Sequence, residues 1–223
     1  MKLRVRWFAD TASLKASEEE LDKGFQELLS AYSASGRFYH GKSHLDHLFG
    51  LLDRYRDALQ DPLAVAFAIW YHDYVYSSIR GGNEQKSADF ARKRLSAWGM
   101  DQSRTNRIVA LILATETHQL PAPPSSLPES QHRAYRHDAA LFLDFDMDVL
   151  SANQNIYEQY ARDVRKEYRL IPRPIYRKGR LKVLQAFLDS ERIYHSAPWR
   201  DREEAARRNI RWEIDTWTSR GKL

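Results

Sequence analysis

Apolar residues recur at helical spacing along almost the whole chain, and no stretch of any length alternates apolar and polar residues as a half-buried strand would. Capping residues, glycine or proline bound several of the helical stretches. The pattern predicts helices over about 17–34, 43–59, 61–76, 83–98, 103–117, 134–150, 153–169, 176–194 and 201–218. The sequence therefore predicts an all-α fold.

One stretch differs from the others because it is apolar on every face. Residues 63–71 are nearly all apolar or alanine, which predicts a helix that is buried all round. Asp61 can cap its first amides, and Pro62 suits its first position. The run ends in His72 and Asp73, so two strong metal ligands would lie where water is scarce. The alternative is a helix end with a satisfied histidine and a capping carboxylate.

Length and composition limit the possible architectures. A chain of 223 residues can form one substantial core or at most two small ones. Because no linker or repeat divides it, we expect a single domain over 1–223, with a core of about 20–195 and a C-terminal helix over about 201–218. No run approaches the length of a membrane span, and the first seven residues lack the apolar stretch of a signal peptide. We therefore expect a cytoplasmic protein that does not enter a membrane.

The absence of cysteine restricts the chemistry that a metal site could use. Without thiolates, His, Asp and Glu are the strong ligands available. Histidine or aspartate stands near an end of several apolar helices, at His40/His44, His72-Asp73, His118 and Asp144/Asp146. Such a set suits a divalent ion such as Mn, Co, Ni, Mg, Zn or Fe. His137-Asp138 repeats the dipeptide, but no apolar run precedes it and it carries little weight.

The order and spacing of these residues resemble the HD superfamily of metal-dependent phosphohydrolases. The matching segments are Arg37-x-Tyr39-His40-x-x-x-His44-Leu45, Trp70-x-His72-Asp73, Asn83-Glu84-x-x-Ser87-Ala88, Ala114-Thr115-x-x-His118, Leu143-Asp144-x-Asp146, Val164-Arg165-x-Glu167-Tyr168 and Tyr176-x-x-Gly179-Arg180. More closely, the chain resembles predicted HD hydrolases that share the Tyr-His-x-x-x-His and Asn-Glu-x-x-Ser-Ala segments. The resemblance implies a compact HD-domain-like helical bundle with additional C-terminal helices.

The resemblance also implies a set of metal ligands. The superfamily pattern of His, His-Asp and Asp falls on His44, His72, Asp73 and Asp146. Asp144 is the alternative to Asp146. Because residues two apart on a helix point to different sides, we expect only one of these two aspartates to bind metal.

His40 and Glu84 are further candidates for catalysis, beside Asp73. In related HD phosphodiesterases, the first histidine of the Tyr-His-x-x-x-His segment protonates the leaving oxygen, and an imidazole suits that task. The alternative for His40 is a group that orients or binds the metal. Gly41 stands where relatives often have asparagine. Glu84 could hold a metal-bound water or merely favour the helix dipole.

Three residues are predicted to contact substrate. His118 could contact phosphate, complete a second metal site or simply end a helix. Arg165 and Arg180 lie in a basic stretch, most of which is expected to be a solvated face. Both stand in segments of the resemblance, and an arginine can grip phosphate with two parallel hydrogen bonds.

These expectations favour a hydrolase that cleaves a small anionic phosphomonoester or phosphodiester, for example a nucleotide, with metal-activated water. Two alternatives from other classes remain. A di-iron HD-type oxygenase would need an added ligand such as His118. A non-catalytic regulatory module could sense a nucleotide or use the basic stretch to bind nucleic acid, although no aromatic–basic alternation favours a nucleic-acid surface. The sequence carries no signal for an oligomeric state.

Overall fold

A computed structural model describes residues 2–220, and within that range every regular element is helical. The all-α prediction is confirmed. The helices are α1 Lys2–Thr11, α2 Glu18–Tyr32, α3 Lys42–Arg54, α4 Pro62–Tyr71, α5 Asn83–Ala97, α6 Gln102–Ala114, α7 His132–Asp146, α8 Gln154–Glu167, α9 Arg173–Asp189 and α10 Glu203–Asp215. Short 3-10 turns join several of them, and a π-helical turn, Thr216–Arg220, follows α10.

Helix α4 forms the centre of the molecule. Every residue from Ala64 to Tyr71 is buried, as its apolar sequence predicts. Helices α1, α3, α5, α6 and α7 pack around it. Buried apolar side chains from α1 through α10 belong to one continuous core. Among the residues described, no helix is both long enough and apolar enough to cross a bilayer.

The start of α4 follows its prediction, but its end does not. Asp61 caps the helix by accepting from the amide of Ala64 at 3.1 Å. The helix ends at Tyr71 instead of continuing to residue 76. The guanidinium of Arg37 donates hydrogen bonds to the carbonyl oxygens of Asp73 and Tyr74, at 2.6 and 2.9 Å. These two carbonyl oxygens therefore accept from a distant side chain instead of from backbone amides further along a helix.

The N-terminal helix α1 was not foreseen from the sequence. Trp7 is fully buried, and its indole N–H donates to the carbonyl of Leu21 on α2 at 2.8 Å. Asp10 accepts from the indole of Trp70 on α4 at 2.9 Å. Half of the residues of this segment are polar and the two anchors are single residues, so periodicity alone gives them little signal.

Several other boundaries differ from the predictions, among them the following. Helix α3 begins at Lys42, with Gly41 instead of Ser43 as its N-cap. Helix α7 ends at Asp146, and the chain continues as a 3-10 turn, Asp148–Ser151. Helix α9 begins at Arg173, because proline is tolerated in the first turn, where an amide would have no partner.

Candidate metal centre

Three helix ends bring His44, His72 and Asp146 together. His44 lies in the first turn of α3, His72 directly follows α4, and Asp146 is the last residue of α7. The Nε2 atom of His44 lies 3.2 Å from Nε2 of His72 and 3.1 Å from Oδ1 of Asp146. One ligand atom from each residue lies within 4.8 Å of the other two. Asp73 adjoins the group, with Oδ2 at 3.2 Å from Nε2 of His72.

The surroundings of the two imidazoles orient their ligand atoms. The Nδ1–H group of His72 donates to the carbonyl of Ile69 at 2.9 Å, which leaves the lone pair of Nε2 directed at the cluster. The ring of His44 packs against Tyr39, with ring centroids 5.0 Å apart. Both histidine side chains are only 1% exposed, whereas the Asp146 side chain is 12% exposed. The carboxylate therefore lies on the open side of the cluster.

The spacing of these atoms fits a divalent ion. Ligands bound to one ion at 2.0–2.1 Å stand about 2.9–3.4 Å from one another. The contacts of His44 with His72 and Asp146, and of His72 with Asp73, fall within that range. Oδ1 of Asp146 lies 3.7 Å from Nε2 of His72, slightly beyond it. Asp73 stands outside the group that could share one ion and contacts it through His72. Two imidazoles and one carboxylate are ligands that Mn, Co, Ni, Zn and Fe accept.

The electrostatics of the cluster also favour a cation. Burial opposes the charged form of His72, but the carboxylates of Asp73 and Asp146 outweigh it and raise the pKa of His72 to about 9. Burial lowers the pKa of His44. Although burial opposes ionisation of the two carboxylates, the neighbouring histidines hold the pKa of Asp73 and of Asp146 below the ordinary value. Without an ion, a proton on His72 therefore compensates the carboxylates.

Asp144, the alternative to Asp146, lies away from the cluster. Its two oxygens accept from the backbone amides of His195 and Ser196 at 2.9 and 2.7 Å, and the residue is fully buried. Asp144 therefore anchors the chain ahead of α10 and has no oxygen directed at the histidines. As expected for residues two apart on a helix, the two aspartates serve different surroundings.

His40 lies beside the cluster and is held by a glutamate that was not among the predicted site residues. The Nδ1–H group of His40 donates to Oε2 of Glu167 at 2.6 Å, and Tyr76 donates to the same oxygen at 2.6 Å. Oε1 of Glu167 accepts from the amides of residues 38, 39 and 40 at 2.8–3.0 Å. This arrangement leaves Nε2 of His40 as the ring nitrogen available to a ligand.

The charges around His40 favour its protonated form. Burial opposes the charge, but the carboxylate of Asp73 and the hydrogen bond to Glu167 together hold the pKa of His40 above its ordinary value. Glu167 stands in one of the segments that carry the HD resemblance. Because it lies 127 residues from His40 in sequence, no local pattern could pair the two.

A cavity of about 580 Å³ opens beside these residues. Six of the predicted site residues line this one space: His40, Asp73, Glu84, His118, Asp146 and Arg180. Nε2 of His118 lies 3.1 Å from Oδ2 of Asp146, the oxygen that does not face His44. His118 has a left-handed backbone, with φ of 52°. A larger groove runs along α1, and its lining includes none of these residues.

The two arginines predicted to bind phosphate have other partners. Arg165 donates to the carbonyls of Tyr168 and Ile171 at 2.6 and 3.3 Å, and it is not part of the cavity lining. Arg180 lines the cavity, but its Nε and Nη2 atoms both donate to Glu213, at 2.8 and 2.9 Å. Arg165 therefore stabilises the end of α8. Arg180 makes its two parallel hydrogen bonds to Glu213 and not to a phosphate.

Comparison of this chain with protein-family models, with curated proteins and with solved structures finds no match. The resemblance to HD hydrolases therefore stays a prediction from the motifs. The geometry of the cluster and its cavity carries the functional argument.

Proposed function

We propose that this protein is a metal-dependent phosphohydrolase that cleaves a phosphomonoester or phosphodiester. The observation that carries the proposal is the convergence of His44, His72 and Asp146 on one point, beside a cavity that also receives His40. The proposal combines a ligand set for a divalent ion, a proton donor and room for a small substrate.

The proposed ligands are His44, His72, Asp73 and Asp146. When bound there, a divalent ion would polarise a phosphoryl oxygen and lower the pKa of a coordinated water. The hydrogen bond of His72 to Ile69 fixes its ligand nitrogen before any ion arrives, and burial restricts the ring of His44. Several ions, among them Mn, Co, Ni, Mg, Zn and Fe, suit such a set.

His40 is the proposed proton donor. In hydrolysis, the oxygen of water joins phosphorus while the bond from phosphorus to the leaving oxygen breaks, and that oxygen gains a proton. Protonated His40 can supply this proton from Nε2, because Glu167 holds Nδ1. We assign Glu167 a positioning role. His118 and Glu84 line the same cavity, which supports contacts with substrate or with ordered water.

A di-iron oxygenase is the second candidate, because His118 contacts the oxygen of Asp146 that faces away from His44. That contact offers one histidine nitrogen and one carboxylate oxygen to a second ion. Within residues 2–220, His44, His72 and Asp146 form the group of three or more potential ligands close enough to share one ion. The hydrolase therefore has the stronger support.

Metal content and phosphate release test the proposal together. The wild-type protein, His72→Asn and the matched control His137→Asn would be stripped with chelator and reloaded with Mn, Co, Ni, Mg, Zn or Fe. We expect about one ion per chain and metal-dependent phosphate release in the wild type and the control, and neither in His72→Asn. Absence of metal from the reloaded wild type would overturn the proposal. Two irons per chain with oxygen consumption and no hydrolysis would favour the oxygenase.

A further inference from the structure

The cavity has two chemically different ends. The end described above carries the histidines and carboxylates. The remainder of the wall is largely aliphatic and aromatic, contributed by the turn after α7 and by helices α8 and α9. Its apolar members include Val149, Leu150, Val164, Ile175, Val183 and Phe187.

The lining is poor in cationic groups that could receive phosphate. Among the described lining residues, Arg180 is the one lysine or arginine, and Glu213 already occupies its Nε and Nη2 atoms. Carboxylates are frequent by contrast, and they belong to Asp73, Glu84, Glu116 and Asp146. Sites for polyphosphates normally supply several Lys or Arg groups in addition to metal. In such a lining, one divalent ion favours a single phosphate group over a chain of phosphates.

Two apolar residues of α9 are positioned to gain contacts when a ligand enters. Ile175 and Val183 line the cavity, yet they are 63% and 48% exposed. Further along the same helix, Phe187 lies against His118, with ring centroids 6.3 Å apart. An apolar group that extends from the metal end would cover this face of α9 and remove it from water.

We infer that the substrate is a single phosphate ester of an apolar organic group, such as an aromatic or extended aliphatic alcohol, and is neither a polyphosphate nor a sugar phosphate. The phosphate would occupy the end with the histidines, and the apolar group would lie along α9. This inference rests on the proposed function, because it assigns the substrate of the same site.

Binding of two phosphonates separates the contribution of the apolar wall from that of the phosphate end. Methylphosphonate and 1-naphthylmethylphosphonate share a head group and resist hydrolysis, because carbon replaces the ester oxygen. Calorimetry on the metal-loaded protein should show the naphthyl compound binding at least tenfold more tightly, which corresponds to about 1.4 kcal/mol. Equal binding, or tighter binding of methylphosphonate, would overturn the inference.

Variants of α9 test whether this helix provides the preference for the naphthyl compound. The double variant Ile175→Ser and Val183→Ser should lose most of the tenfold preference and keep its affinity for methylphosphonate, because both side chains are exposed and neither belongs to the proposed ligand set. Ile156→Ser is the matched control, since Ile156 is 53% exposed and lies outside the cavity lining. The control should keep the full preference. Equal loss in both variants would place the preference elsewhere and overturn the inference.

A hydrolysis panel distinguishes failure of this inference from failure of the proposed function. Phosphate release would be measured from 1-naphthyl phosphate, glucose 6-phosphate and adenosine triphosphate, at matched metal and pH. Release from naphthyl phosphate at least tenfold faster than from the others supports the inference. Faster release from either polar substrate refutes the substrate class and leaves the hydrolase standing. If none of the three releases phosphate and bis(4-nitrophenyl) phosphate, a phosphodiester, releases no nitrophenol, the hydrolase is refuted and the inferred substrate with it.

Discussion

The chain contains the dipeptide His-Asp twice, and the two copies lie at opposite ends of the central helix α4. His72-Asp73 follows its last residue, next to His44. Asp138 belongs to α7 and lies next to the start of α4, where it accepts from the amides of Gln60 and Asp61, both at 2.8 Å. The same two residue types thus serve a candidate metal centre at one end and a structural anchor at the other.

The difference between the two copies lies in the partners of each carboxylate. Both oxygens of Asp138 are used by backbone N–H groups, so no oxygen is left for an ion. The oxygens of Asp73 face His72 and the cavity. The histidines differ in the same way, because His72 is buried whereas His137 is exposed and donates to the carbonyl of Ala58 at 3.0 Å. The surroundings, and not the dipeptide, determine the chemistry.

Replacing Asp73 should produce the largest effect. In Asp73→Asn the ligand set loses a negative charge, and we expect activity to fall by about 1,000-fold or more, as for groups that act as a unit. Affinity for metal should fall with it, measured by competition with a coloured chelator. The fold should persist, since Asn is isosteric and the backbone contacts of residue 73 remain. Retention of more than a tenth of the wild-type activity would exclude Asp73 from the site.

The metal-free protein should show a pH-dependent stability that originates at His72. The pKa of His72 is raised from 6.5 to about 9 in the folded state. A raised pKa stabilises the fold fully below pH 6.5, and the stabilisation is lost as the pH rises through 9, by an amount of the order of 3 kcal/mol. Urea unfolding in the presence of chelator, at several pH values from 6 to 9.5, measures this loss.

Two comparisons show whether His72 is the source of that pH dependence. His72→Asn should have a flatter profile over the same range, while His137→Asn should follow the wild type. Loading with metal should remove the loss, because the ion takes the place of the proton. A wild-type profile that runs parallel to that of His72→Asn would contradict the assignment.

Asp138→Asn should act on stability and leave the metal site intact. The amide side chain can accept from one of the two backbone N–H groups but not from both, and an unsatisfied buried donor costs about 1–3 kcal/mol. Burial raises the pKa of Asp138, so removal of its charge offsets part of that cost. We expect a loss of about 1–2 kcal/mol, or about 3–6 °C in melting temperature. Metal stoichiometry should stay at the wild-type value, and a decrease would refute the anchoring role.

Local sequence pattern was sufficient for much of the fold and for part of the site. The apolar run from Ala64 to Tyr71, with Asp61 and Pro62 ahead of it, defines α4 and the position of His72. The prediction extended α4 to residue 76, whereas the helix ends at Tyr71. Beyond that point, the distant Arg37 donates to the carbonyls of Asp73 and Tyr74. The periodicity of apolar residues indicates which face of a helix is buried, and it carries no information about distant hydrogen-bond partners.

Long-range contacts explain what the sequence left open. The choice between Asp144 and Asp146 depends on amides some 50 residues downstream, which occupy Asp144. The pairing of His40 with Glu167 joins segments 127 residues apart. Arg180 was predicted to bind phosphate because it stands in a segment of the HD resemblance and an arginine suits that task, but its Nε and Nη2 atoms donate to Glu213. Residue type limits the possible roles, and the tertiary partners select among them.

The smallest expected effect belongs to His137→Ala, and it is the sharpest control for the comparison. His137 is exposed, and its one contact, with the carbonyl of Ala58, can be replaced by water. Stability should therefore change by no more than about 0.5 kcal/mol, and metal content and activity should stay at wild-type values. Urea unfolding and elemental analysis measure both. A loss of metal on replacing this histidine would mean that a His-Asp dipeptide binds the ion whether or not it is buried. The distinction between the two ends of α4 would then be wrong.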